Sequence, residues 1–129
     1  MEEPNTTSLN VMIAEDSGIT GKKLKKMLEE LGHNVVGVAR TGEEAVEQYE
    51  KLNPDIVTMD IIMPGMNGVD AAREICSKFK DACIIMITSH GQKQMVINAV
   101  KAGARGFVIK PFKHEILKSA IDQIVKKFL

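Results

Sequence analysis

Five places along this 129-residue chain set a reactive side chain at or just past the end of a short apolar run. Glu15 and Asp16 follow the run Leu9 to Ala14, and Asp60 ends Asp55 to Asp60. Thr88 ends Ile84 to Thr88, and Lys110 ends Phe107 to Lys110. If these runs are neighbouring strands, their ends gather three carboxylates, a hydroxyl and an ammonium. Two carboxylates about 4 Å apart repel by about 4 kcal/mol at an effective dielectric of roughly 20. Either one holds a proton or a cation sits among them. Few protein carboxylates, oxygen ligation alone and room for water suit Mg²⁺ better than an enclosing Ca²⁺ cage. Lys110 would attract a phosphoryl group, and the Thr88 hydroxyl could donate to one of its oxygens. Metal and lysine would together offset charge on a phosphoryl group passing to Asp60.

The elements that must position these groups follow from hydrophobic spacing. After the first apolar run, Leu24, Met27, Leu28 and Leu31 have the i, i+3, i+4, i+7 spacing of a helix, which Gly32 closes. A second strand is expected at Val35 to Ala39. Thr41-Gly42-Glu43-Glu44 then reads as a capping box, opening a helix that Pro54 stops. The third strand leads through Pro64-Gly65 and Asn67-Gly68 into a helix marked by Val69, Ala72, Ile75, Cys76 and Phe79. Met95, Val96, Ile97, Ala99 and Val100 lie on a fourth helix, apolar over a wider arc than one buried stripe requires. Leu117, Ala120, Ile121, Ile124 and Phe128 make the last. Five such β-α units predict an α/β fold, a parallel sheet covered by helices on both faces. Right-handed crossovers make a five-stranded doubly wound sheet the economical topology, and the order expected is 2-1-3-4-5, that of flavodoxin-like (βα)5 folds. In that order the first and third strands are neighbours, so Glu15, Asp16 and Asp60 converge at the switch in strand order.

Composition narrows the classes of function. The chain is 44% apolar and 26% charged, as globular domains are, and its length fits one domain. The expected division is a flexible N-terminal segment over residues 1–8 and one domain over 9–129. Lys plus Arg and Asp plus Glu balance at 17 each, so no nucleic-acid surface is indicated. The longest apolar run, Ala82 to Ile87, is too short to insert in a membrane, and the polar start has no signal-peptide character. Cys76 and Cys83 form no CxxC pair and read as buried, reduced thiols in a cytoplasmic protein.

The chain resembles the receiver family of two-component signalling, in particular the stand-alone chemotaxis (CheY-like) response regulators. The resemblance rests on Val11-Met12-Ile13-Ala14-Glu15-Asp16-Ser17, Pro54 to Pro64 around Asp60, Met66-Asn67-Gly68, Ile87-Thr88-Ser89, and Gly103-Ala104 with Lys110-Pro111-Phe112. It runs from about Leu9 to about Val125. It implies that Asp60 is the phosphoacceptor. It implies Mg²⁺ ligation by Asp16, Asp60 and the backbone carbonyl of Ile62, with Glu15 acting through a water. It assigns Lys110 to the phosphoryl group and Thr88 to a hydroxyl that moves towards it. Phe107 falls at the aromatic switch position, and Lys110-Pro111 is expected to be cis, which is uncommon for X-Pro bonds. Glu15 stands where the family commonly has Asp, and Phe107 where Tyr would add a hydroxyl.

The bland alternatives are specific. Asp60 could cap a loop, Asp16 or Ser17 could cap the first helix, and Thr88 could be an ordinary β-former. Lys22, Lys23, Lys25 and Lys26 read as a solvated helix face that could also dock an acidic kinase or phosphatase. His90 and Ile62 would flank the path of a water attacking the phosphoryl group, so this pair is expected to set the phosphate lifetime and to favour slow self-dephosphorylation. A haloacid-dehalogenase-type phosphatase would want an acid where Ile62 stands, and a flavodoxin would want aromatic walls that one Tyr and no Trp do not supply. The expectation is therefore a two-component response regulator, a phosphoprotein rather than an enzyme. A histidine kinase would be its phosphodonor, and the flagellar motor switch or another chemotaxis component its reader, since no output domain follows Leu129. A phosphatase is a further expected partner, and a stand-alone phosphorelay receiver is the alternative function.

Overall fold

The computed structural model describes residues 8–89 and 93–129. Five strands alternate with five helices: β1 Asn10–Ala14, α1 Gly18–Glu30, β2 Asn34–Ala39, α2 Gly42–Leu52, β3 Ile56–Asp60, α3 Gly68–Lys78, β4 Ile84–Thr88, α4 Lys93–Ala102, β5 Gly106–Ile109 and α5 His114–Phe128. All strand pairs are parallel, in the order β2-β1-β3-β4-β5. This is the expected doubly wound α/β sheet. The expected boundaries hold to within a few residues. Lys110 is one of the differences, lying just past β5 rather than ending it.

The central strands β3 and β4 are buried at every position, because both of their faces are covered. Met12, Val57, Met59, Ile84 and Met86 point to one side, against Ala45 and Tyr49 of α2, Ala71, Ala72 and Ile75 of α3, and Ala99 and Ala102 of α4. Val11, Ile13, Ile56, Ile85, Ile87 and Val108 point to the other, against Leu24 and Leu28 of α1 and Leu117, Ile121 and Ile124 of α5. Alternation along each strand thus feeds two separate cores.

Local chemistry sets where helices begin. Ser17, Thr41 and Asn67 each cap a helix, the side-chain oxygen accepting from the backbone N–H three residues on. The four lysines of α1 are exposed, as expected. Both cysteines are free; Cys83 is buried, whereas Cys76 is only half-buried. The expected flexible segment lies, over residues 1–7, outside the described residues, as does His90. No described helix is long and apolar enough to cross a membrane.

Candidate functional site

The site forms where β1 and β3 end side by side. Pairing of Ala14 with Met59 sets Asp60 level with the residues that leave β1. Glu15 turns inward and is buried, while Asp16 stays exposed at the mouth. One carboxylate oxygen from each of Glu15, Asp16 and Asp60 can be chosen so that all three lie within 4.8 Å of one another. Among the described residues no other group of three or more acidic, His or Cys side chains is placed to hold a metal.

Lys110 closes the site from the β5 side. Its Nζ lies 2.9 Å from Glu15 Oε1 and 3.6 Å from Asp60 Oδ2. The longer arm of Glu15 therefore takes the closer ion pair. Glu15 is also fixed at its other oxygen, which accepts from the Ser17 N–H at 3.2 Å. Asp60 receives a longer bond, 3.4 Å, from the Ile62 N–H.

Charge is unevenly balanced here. Burial pushes the Asp60 carboxyl up to about 6, and the negative Glu15 beside it pushes the same way. Lys110 and the Ile62 N–H pull it down without prevailing. A buried carboxylate that one lysine does not satisfy, beside two more carboxylates, is a donor set with unmet demand for positive charge. Hard oxygens, few in number and open to solvent through Asp16, fit Mg²⁺.

The remaining sequence-predicted residues take distinct places. Thr88 is buried at the end of β4, one strand over from Asp60. Phe107 is half-buried on β5 and packs against the core beneath α2, α3 and α4. The Lys110-Pro111 bond is cis. Ile62 exposes its side chain to solvent on the loop after β3.

Glu43 was not singled out from the sequence as a site residue. In the fold, both of its carboxylate oxygens accept from the Met66 N–H on the loop that carries Ile62, at 3.3 and 3.2 Å. An acid in the first turn of a helix ordinarily needs only the helix dipole to explain it. The sequence carries no signal of a partner 23 residues away.

Known proteins resemble the chain along most of its length. It is similar to the chemotaxis protein CheY of Thermotoga maritima, 45% identical over 116 residues that span 90% of this chain and 97% of that protein. It is similar to the chemotaxis protein CheY of Bacillus subtilis, 41% identical over 88% of this chain and 94% of that one. Its fold is similar to a chain in the crystal structure of the CheX-CheY-BeF3-Mg²⁺ complex from Borrelia burgdorferi, with a TM-score of 0.86 and 36% identity over 90% of this chain and 88% of that chain. Residues 11–122 match the response regulator receiver domain, and the chain belongs to that family.

Proposed function

We propose that the chain is a phosphorylation-controlled switch of chemotaxis, in which Asp60 takes a phosphoryl group from a histidine kinase. The observation that carries this reading is the buried Asp60 carboxylate at a strand end, with the Lys110 ammonium 3.6 Å away and two further carboxylates beside it. The similarity to two chemotaxis proteins supports the setting.

Asp16, Asp60 and the Ile62 backbone carbonyl would hold Mg²⁺, with Glu15 acting through a water; the related CheY complex from Borrelia burgdorferi includes Mg²⁺. When bound, the ion supplies positive charge that offsets the clustered carboxylates and the oxygens of the phosphoryl group. An oxygen of Asp60 attacks the phosphorus of a phosphohistidine. The new O–P bond forms as the P–N bond breaks, and the departing imidazole keeps the electron pair. Lys110 swings its ammonium from Glu15 towards the transferred oxygens, and the buried Thr88 hydroxyl donates to one of them.

Partner choice then follows from Thr88, Phe107 and Pro111. As Thr88 moves towards the phosphoryl group, it frees space for the half-buried Phe107 ring to turn inward. Val100 on α4, Ile109 at the end of β5 and Ile116 on α5 are exposed apolar side chains on elements next to that ring, and they form the reading surface. The flagellar motor switch is the proposed reader, in the cytoplasm. The protein turns over no outside substrate and resets by slow hydrolysis of its own phosphate or with the help of a phosphatase.

Incubation with Mg²⁺ and a small acyl phosphate, followed by intact mass, tests the reading. One added phosphate on the wild type and none on Asp60→Asn is expected. Equal uptake by Asp60→Asn would overturn it.

A further inference from the structure

We propose that Glu43, in the first turn of α2, is a positioning residue for the metal site, holding the loop between β3 and α3 so that the Ile62 carbonyl is presented to the ion. The inference rests on the ligand set given under the proposed function. The loop begins just after Asp60 and is closed at its base by a 2.7 Å bond from the Gly68 N–H to the Ile61 carbonyl. Between those two points its path depends on the start of α2. A Cβ added at Gly42 would collide with the Met66 backbone carbonyl, so helix and loop are in direct backbone contact. Gly65 has φ +71°, a conformation open to glycine, and a Cβ there would lie 2.9 Å from a Glu43 carboxylate oxygen. The Met66 N–H then donates to both oxygens of Glu43. Two glycines thus bring α2 and the loop together, and a charge-assisted hydrogen bond holds the contact. A ligand oxygen already held in place binds its ion without the cost of ordering a loop at that moment.

Glu44 provides the control. It lies beside Glu43 and carries the same charge, but its carboxylate accepts from the Arg40 N–H and leaves the loop alone. The experiment is a Mg²⁺ titration of the full, unphosphorylated chain, followed by backbone amide NMR, on the wild type, Glu43→Ala, Glu43→Gln and Glu44→Gln. Glu43→Ala is expected to weaken Mg²⁺ about tenfold, as loss of outer supports commonly does. Its Ile62 and Met66 amide signals should shift or broaden before any metal is added. Glu43→Gln keeps a carbonyl acceptor and should bind close to the wild type, and so should Glu44→Gln. Wild-type affinity in Glu43→Ala would overturn the inference. So would an equal loss in both glutamine variants, which would mark the effect as charge alone. A wild type that binds no Mg²⁺ would instead overturn the metal site itself, and the inference with it.

Discussion

Asp60 is acted on at once by burial, by the Glu15 carboxylate and by the Lys110 ammonium, and the two influences that favour a proton prevail. The ordinary value is 3.8 and the folded one about 6, so the folded state binds this proton more tightly than the unfolded chain. The resulting stabilisation is complete below about 3.8 and is lost as pH rises through about 6. At pH 7 without metal, Asp60→Asn should therefore be more stable than the wild type by about 1–2 kcal/mol. Urea unfolding in EDTA should show that gap closing towards pH 4; a gap that stays constant with pH would contradict the assignment. Ile62 carries a second expectation at this scale. Its exposed apolar side chain cannot orient an attacking water, so Ile62→Asn should shed phosphate several-fold faster, as should His90→Ala if the imidazole shields the group. Wild-type decay rates in both, followed by radiolabel loss, would sink the idea. The placement of Glu15, Asp16, Asp60, Thr88 and Lys110 at or just past strand ends was legible because each ends or follows an apolar run. Which carboxylate Lys110 prefers was not, since side-chain reach in three dimensions decides it.

Hydrophobic spacing made the elements readable, and capping side chains at Ser17, Thr41 and Asn67 fix where three of the helices start. Thr41 and Glu44 were read as a capping box, and Thr41 does accept from the Glu44 N–H at 3.1 Å. The return bond reaches the Arg40 N–H instead of that of Thr41, a shift of one residue that spacing alone does not reveal. Helix α4 was read as too apolar for one stripe. Its buried residues are the small Ala99 and Ala102, which join the core shared with α2 and α3, while Val100 is exposed. The apolar excess on the outward side was legible; that small alanines make the buried side was not, because periodicity registers apolar character but not size. His33, in the turn after α1, ties that turn to the start of β1 by accepting the Leu9 N–H on Nδ1 at 3.2 Å. Burial lowers its pKa, Asp122 of α5 opposes that shift and Lys118 of α5 reinforces it. A depressed folded value means the stabilisation is present above 6.5 and lost as pH falls through the folded value. His33→Ala should cost about 1 kcal/mol at pH 7.5, and that cost should shrink at pH 5. An equal cost at both pH values, by urea midpoint, would contradict the neutral acceptor.

The molecule as a whole separates its functions by place. Two cores on opposite faces of one sheet keep it folded. The candidate site lies at the rim where β1, β3, β4 and β5 end, the edge at which an open α/β sheet binds its ligands. The doubly wound parallel sheet was readable from the count of β-α units and the right-handed crossover rule, whereas its order came from the flavodoxin-like type of fold and not from that rule. Contacts between loops and distant helix starts, such as Glu43 on Met66, were not, because no periodicity connects them. The most direct test of the central claim is to locate the phosphate. The chain would be phosphorylated with Mg²⁺ and an acyl phosphate, then treated with borohydride, which reduces an aspartyl phosphate to homoserine, and its peptides would be sequenced by mass spectrometry. Homoserine at position 60 alone is the predicted result. Aspartate intact at position 60, with homoserine at position 16 or none anywhere, would contradict it.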